Sequence, residues 1–428
     1  MKPTPRSIAF EAVIRVTEQG GYSNLAIPGA LGRTRMNPQG RAQATDLAYG
    51  TIRKVPVLDR AIEHHSTRPL AKMSKTARAG LRLGAYQLMF TETPAYAAVS
   101  ETVGLVMPRE RGFVNAILRR IADDPPAPPE GDDDDTVALR SGLSLWAVEE
   151  LRRLLGDEAP RAAEALATRA PLSLRANTCR TDVDGLDQAL RGAGHDPRRG
   201  ELDPDCLLLD GAGDPTALPG FADGAFALQD QASAFVVRVL DPQPGERVLD
   251  ICAAPGGKAA FAACLLQPEG TLVAADVHPR RTALVARGAA RLGVHPLVFV
   301  QDALAPALRP GFDRVLVDAP CSGIGAARRR PELLWRARAK DLSALARLQV
   351  SIVSAAADML VPGGRLVYSV CTFPRAETDA ACDAILRHRP DLLSEPTPGP
   401  DGLSERHRLW PHRHGSDGMF VASFRRSG

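Results

Sequence analysis

The sequence has no run of about 18 apolar residues, so no segment suits a membrane-spanning helix. Its opening stretch, MKPTPRSIAFEAVIRV, is interrupted by Glu11 and Arg15, so no secretory leader is expected there. Cysteine is scarce, with seven in 428 residues, an odd number without paired spacing. That argues against a disulfide framework and for a soluble protein in a reducing, cytoplasmic setting. No C-x-x-C or H-x-x-x-H spacing occurs, so no metal site is expected, and His412 and His414 are read as surface residues. There is no internal repeat.

What is present reads as ordinary globular protein, 44% hydrophobic and 24% charged. The length implies about three domains. A net charge of +3 conceals a strong asymmetry. Residues 1–121 carry 18 Lys/Arg against 8 Asp/Glu, and residues 122–135 carry seven acids and no base. The remaining residues, 136–428, carry 35 of each sign. A compact basic module suggests a polyanionic partner, nucleic acid foremost; the plainer reading is arginines that merely decorate helix faces.

The segment 122–136, ADDPPAPPEGDDDDT, marks a boundary. Its prolines forbid helix and its acids repel one another, which predicts an extended, solvated linker. Before it, apolar residues recur at helical spacing: Ile8, Ala12, Val13 and Val16, then Leu81, Ala85, Leu88 and Met89. Phe113, Val114, Ile117, Leu118 and Ile121 form a third stripe, with Arg119 and Arg120 facing outward. Residues 1–121 therefore read as an all-α bundle. After the linker, 137–224 reads as two short helices over 141–168, a strand in PLSLRANT, and a helix near 182–193. From 225 to 428 the pattern is regular. Strand candidates at Val248–Leu249, Leu272–Ala275, Val298–Val300, Val315–Val317 and Leu366–Val370 alternate with helices, the clearest over 341–360. Such alternation predicts an α/β domain with a parallel sheet, helices on both faces, and ligands beyond the carboxyl ends of the strands.

The chemistry gathers at those ends. RVLDICAAPGGKAAF is a strand, a small-residue turn and a helix start, in which Cys252, Ala253, Ala254, Pro255, Gly256, Gly257 and Lys258 let a ligand approach the backbone. It is neither G-x-G-x-x-G nor a complete P-loop, because the first glycine is missing and Ala259 stands where a Ser/Thr belongs. Asp276 ends the next strand, 26 residues past Asp250, placed for ribose hydroxyls. Asp302 ends the one after, placed for an adenine amino group or to order a loop. Each acid alone is as readily a helix cap. Three at successive strand ends fit S-adenosylmethionine, whose ribose and cationic methionine portion both favour carboxylates. FDRVLVDAPCSG then sets Asp318 and Cys321 past one strand, and GGRLVYSVCTFPRAE sets Cys371 past the next. A lone cysteine is usually a small buried hydrophobe. Two at equivalent tips of a parallel sheet open onto the same edge.

From about residue 225 the chain resembles the Sun/RsmB family of RNA cytosine-5 methyltransferases, on DICAAPGGK, ADVHPRR, QDA, DAPCSGIGAARRRPELLW and YSVCTFPRAE. Residues 1–121 resemble the NusB-type helical RNA-binding domain. The likeness is looser over 136–224, and it departs in detail at Ala259 and at Glu377-Thr378, where relatives often carry Glu-Asn. It implies an N-terminal NusB-like bundle, a small α+β middle segment that binds RNA, and a C-terminal Rossmann-like S-adenosylmethionine-dependent methyltransferase domain. It implies formation of 5-methylcytosine in 16S rRNA, with RNA and no membrane as partner; a monomer is favoured, but the sequence leaves the oligomeric state open.

In the family the nucleophile is the cysteine after the later strand, which gives that role to Cys371. Cys321 then assists elimination of the adduct; DNA cytosine methyltransferases use a Pro-Cys nucleophile instead. Asp318 is expected to contact the cofactor or the cytosine's ring edge. Lys258 lowers a thiol pKa or holds the base, unless it is an exposed helix-start lysine. Arg328, Arg329 and Arg330 are candidate phosphate clamps, and Trp335 either stacks on a base or packs. Two other readings stay open on the motifs: a tRNA cytosine-5 methyltransferase, and a non-catalytic RNA-binding assembly factor that kept the fold.

Overall fold

The computed structural model describes residues 3–267 and 269–428. The chain divides into two compact units, one running up to Thr168 and including Ala327–Ala337, the other comprising Arg169–Ala326 and Arg338–Gly428.

The first unit is helical. It contains α1 (Pro5–Thr17), α2 (Ser23–Gly32), α3 (Pro38–Arg53), α4 (Val55–His65), α5 (Lys75–Phe90), α6 (Ala95–Leu105) and α7 (Arg111–Asp123). After these come α8 (Asp134–Ser141), α9 (Leu145–Leu155) and α10 (Ala159–Ala167). Short side chains start the helices: Thr4 and Ser7 cap α1 reciprocally, while Asn37 and Ser74 accept from the first turns of α3 and α5. The expected stripes are the core, with Val13, Leu81, Ala85, Val114 and Leu118 fully buried. Arg119 and Arg120 are exposed, as expected. Arg82 is not, since it donates to Asp59 at 2.6 Å and to Glu18 at 2.7 Å inside the bundle. Part of the basic excess is therefore structural. His64 and His65 of α4 and Asp124 just past α7 bring ligand-type atoms within 4.8 Å of one another, a grouping that spacing along one helix does not signal.

The linker is shorter than its composition suggests. Ala122 and Asp123 finish α7, Asp134 to Thr136 begin α8, and the Asp133 carboxylate accepts the Thr136 N–H at 2.9 Å. Acids that repel in a free chain are favourable at a helix N-terminus, where unpaired N–H groups point outward. Residues 327–337 are the larger surprise. Trp335 packs against the helical core and its indole N–H donates to the Ile52 carbonyl at 3.0 Å. Glu332 is fully buried and accepts the Ser23 N–H, while Arg336 donates to the carbonyls of Val16 and Gly21. Arg328 is buried, and Arg330 lies 4.8 Å over the Tyr22 ring. In this structure these side chains pack and cap the helical unit.

The second unit begins with a four-stranded antiparallel sheet of β1 (Leu172–Ala176), β2 (Arg198–Arg199), β3 (Cys206–Leu209) and β4 (Phe226–Leu228), ordered β2-β3-β1-β4 and packed on α11 (Val183–Gly192). Next come α12 (Gln231–Leu240), β5 (Arg247–Asp250), α13 (Gly257–Leu265), β6 (Thr271–Asp276), α14 (Pro279–Leu292), β7 (Leu297–Val300) and β8 (Phe312–Asp318). Beyond the helical turn α15 (Leu333–Arg336) of the first unit lie α16 (Ala339–Ala357), β9 (Leu360–Val370) and α17 (Asp379–His388). The chain ends with β10 (Leu392–Ser394), the small hairpin β11 (Thr397–Gly399) and β12 (Gly402–Ser404), β13 (Arg406–Leu409) and β14 (Met419–Arg426).

The main sheet runs β10-β14-β9-β8-β5-β6-β7, with β13 on β14. Alternate residues face opposite sides: Val248 and Leu316 join the core under α12, α13 and α14, while Leu249, Val315 and Val317 join the core under α16 and α17. The sheet is mixed rather than parallel, because β14 pairs antiparallel with β9 and β10. Strand order reverses between β5 and β8, which opens a crevice at their carboxyl ends.

Two further expectations are corrected. Cys179, after β1, and Cys264, in the last turn of α13, form a disulfide across 85 residues of sequence, which no local spacing could signal. His414 is buried, its Nδ1 accepting the Trp410 N–H at 2.9 Å in a C-terminal helical turn. No helix among the described residues is long and apolar enough to cross a membrane.

Candidate active site

The crevice collects most of the expected residues. Asp250 ends β5 and is completely buried, and neither carboxylate oxygen has a well-formed hydrogen-bond partner. Burial pushes its carboxyl up to about 8, the Asp318 charge adding to the effect. After it the chain turns through Ala253 and Ala254, and the Ala253 N–H donates to the Ala275 carbonyl at the tip of β6. Gly256 opens α13 at φ 108°, where a Cβ would meet the Val285 backbone at 3.0 Å, so only glycine brings the two helices this close. Lys258 is buried, not exposed, and its ammonium lies 2.8 Å from Asp318 Oδ2. Burial disfavours that charge, but Asp318 more than compensates and holds the ammonium above its ordinary range. The other Asp318 oxygen accepts the Ser369 hydroxyl at 2.8 Å.

Asp276 is buried beside the crevice, where one oxygen accepts the His278 N–H and the other lies 3.3 Å from Arg281. Asp302 is exposed and accepts the Leu304 N–H, so it orders its own turn. Cys252 and Gly257 are half-buried in the turn after β5, and Pro255 is exposed.

The two sulfurs meet. Cys321 follows β8, Cys371 follows β9, and their Sγ atoms are 3.5 Å apart, both half-buried. The Cys371 contact, followed by burial, holds the Cys321 thiol well above its ordinary range. Three contacts stitch the loops that carry them. The Ser322 and Thr372 hydroxyls share a hydrogen bond of 2.6 Å, the Gly325 N–H donates to the Cys371 carbonyl at 3.0 Å, and the Ser322 N–H donates to Glu377 at 2.9 Å. A Cβ on Gly325 would stand 2.1 Å from the Gly418 carbonyl oxygen.

Glu377 marks only a motif departure in the sequence, yet it is fully buried here and its Oε1 also accepts the Gln349 amide at 2.9 Å. Tyr368 ties the same group together, donating to the Glu377 carbonyl and to Gln349. Such a carboxylate sets the separation of the two cysteine loops from behind. Glu377→Ala is expected to cost roughly a hundred-fold in methyl transfer and Glu377→Gln, which keeps the acceptor oxygen, about ten-fold or less. Steady-state rates on one substrate check this, and equal losses would contradict it.

A buried carboxylate lacking a partner, a turn of small residues and a second buried acid fit a cationic, hydroxyl-bearing ligand such as S-adenosylmethionine. The fit is testable through protons. In the free protein Asp250 retains a proton up to about pH 8, and a cation beside it favours the ionised form. Binding then expels that proton, so cofactor affinity should rise between about pH 6 and 8 and level off above. Calorimetry across that range checks it. Asp250→Asn should flatten the profile, and a flat wild-type profile would refute the assignment.

Known proteins match the chain over nearly its whole length. The profile of the 16S rRNA methyltransferase RsmB/F family matches residues 237–425, that of the NusB family residues 3–123, and that of the RsmF/B-like ferredoxin-like domain residues 143–216. A Mycobacterium tuberculosis protein named as a methyltransferase is 37% identical over 98% of this chain and 96% of its own length. The ribosomal RNA small subunit methyltransferase B of Salmonella arizonae is 32% identical over 97% of each. The crystal structure of PH0851 is 27% identical and superposes with a TM-score of 0.84, covering 99% of both chains. A methyltransferase homologue from Pyrococcus horikoshii is 30% identical with a TM-score of 0.59, covering 69% of this chain and 100% of that one. With profiles covering the bundle, the middle segment and the catalytic sheet, and relatives matching nearly end to end, the chain belongs to the S-adenosylmethionine-dependent RsmB/F family of 16S rRNA methyltransferases.

Proposed function

We propose that this protein, acting in the cytoplasm, forms 5-methylcytosine in 16S rRNA through a covalent bond between Cys371 and carbon 6 of the target cytosine. The observation that carries the reading is the meeting of Cys321 and Cys371 sulfurs at 3.5 Å on adjacent strand tips beside the Asp250 turn. Bound in that turn, S-adenosylmethionine supplies an electrophilic methyl group; Asp250 would face its cationic portion, and Cys252 to Lys258 and Asp276 would line it.

Carbon 5 of cytosine is a weak nucleophile. Addition of the Cys371 thiolate at carbon 6 makes carbon 5 enamine-like, which divides one hard step into easier ones. The Lys258 ammonium, whose surroundings include Cys371, favours the thiolate by charge, while Asp318 holds that ammonium in place. The cytosine leaves its stack to reach the crevice. Once carbon 5 is methylated its proton must leave before the sulfur can. Bonding of Cys371 to carbon 6 removes the contact that chiefly raises the Cys321 thiol, so Cys321 can release its own proton to solvent and, as the thiolate, take the carbon 5 proton. The carbon 5–carbon 6 double bond re-forms and the Cys371 thiolate departs.

The deciding experiment incubates the full chain and labelled cofactor with unmodified 16S rRNA and, separately, with tRNA, then maps the product by bisulfite sequencing. Label at a 16S cytosine is expected. Label confined to tRNA, or at a position other than carbon 5, would overturn the reading.

A further inference from the structure

The helical unit contains a cavity of about 400 Å³ that the proposed chemistry does not use. It lies where the linker prolines 125–129 cross the α3–α4 junction and the end of α5. Phe90, Met89 and the proline rings form apolar walls, and the polar lining is cationic: Lys54, Arg60 and Arg140. No acid lines it. Arg140 is already paired with Glu164 at 2.7 Å and Asp132 at 3.2 Å. Among the described residues Lys54 has no carboxylate within ion-pair distance. Its ammonium reaches only the Arg140 carbonyl, at 3.4 Å, and stands 5.6 Å over the Phe90 ring. Burial, with Arg53 nearby, lowers its pKa.

A half-buried ammonium with no carboxylate in ion-pair contact, on which Glu164 acts only from a distance, set in apolar walls of this size, asks for a ligand that is anionic at one end and flat and apolar at the other. We propose that this cavity is a second RNA contact, remote in sequence from the catalytic motifs, that receives one unstacked nucleotide. The base lies between Phe90 and the proline segment, and the phosphate lies on Lys54 and Arg60. The proposal rests on the RNA reading above and adds a place where the substrate is gripped. It also gives the prolines a role beyond spacing, because rigid rings make a wall that a flexible linker would not.

The test uses the full chain and an unmodified 16S rRNA transcript bearing 4-thiouridine. Irradiation should crosslink peptides containing Phe90 or residues 125–129. Phe90→Ala and Lys54→Gln should each raise KM for the transcript roughly ten-fold, the loss falling in KM rather than kcat. Lys54→Gln should also lower the salt slope of binding by about one, and Phe90→Ala should leave it unchanged. Thermal melts confirm that both variants fold; where one does not, the wild-type crosslink map decides. Crosslinks confined to other peptides, or unchanged KM values while the wild type still methylates rRNA, would overturn the cavity assignment alone. No methylation and no crosslink by the wild type would instead overturn the RNA reading, and the cavity with it.

Discussion

Cys371→Ala is expected to reduce methyl transfer by at least a thousand-fold, the scale on which removing a nucleophile acts. No other group at the site can replace it. Cys321 is the nearest sulfur, 3.5 Å away, but it follows β8 rather than β9 and so does not stand where the attacking atom does. Lys258 is occupied by Asp318. Single-turnover assays with labelled cofactor would show the loss in the chemical step, and calorimetry should find cofactor binding preserved. Activity within ten-fold of wild type would end the assignment of Cys371. So would the reverse pattern, in which Cys321→Ala is inert and Cys371→Ala traps RNA, since the Pro-Cys sulfur would then be the nucleophile.

Cys321→Ala should fail differently. Addition at carbon 6 and methylation at carbon 5 do not need the second sulfur, but removal of the carbon 5 proton does. The variant should therefore accumulate a stable RNA–protein adduct, visible as a slow-migrating band on denaturing gels, in at least a large fraction of the enzyme within one turnover. The double variant with Cys371→Ala should show no band. A single Cys321→Ala variant that turns over freely and leaves no adduct would mean that another base serves the crevice, and Glu377 is too deeply placed behind Ser322 to be an obvious one.

Much of this was legible because the relevant physics is local. The α5 and α7 stripes repeat every three to four residues, and burying one face of a helix requires that repeat. Strands β5, β6, β8 and β9 announce themselves as apolar runs; the first three end in aspartates, and Cys371 directly follows the fourth. The convergence of Cys321 and Cys371 follows from two such tips lying on neighbouring parallel strands. What stayed hidden depends on distant partners. Strand β14 joins β9 antiparallel from the far end of the chain, without the crossover helix that marks its parallel neighbours. Glu377 reveals nothing until the Ser322 N–H and Gln349 close around it. Arg82 reads as one more surface cation until Glu18 and Asp59 are seen to hold it. The acids expected at the cofactor, Asp276 and Asp302, also cap their own turns, which composition cannot distinguish from ligand contact.

The return of residues 327–337 into the helical unit has a consequence for biosynthesis. Translation releases the N-terminal helices first, at about 5–20 residues per second, yet the tryptophan and the buried glutamate that complete their packing emerge more than 160 residues after Thr168. On the order of ten seconds separates the two events. A nascent chain interrupted before position 327 therefore carries an unfinished helical unit, whose packing is completed only after the strand that precedes Cys321 has also been made.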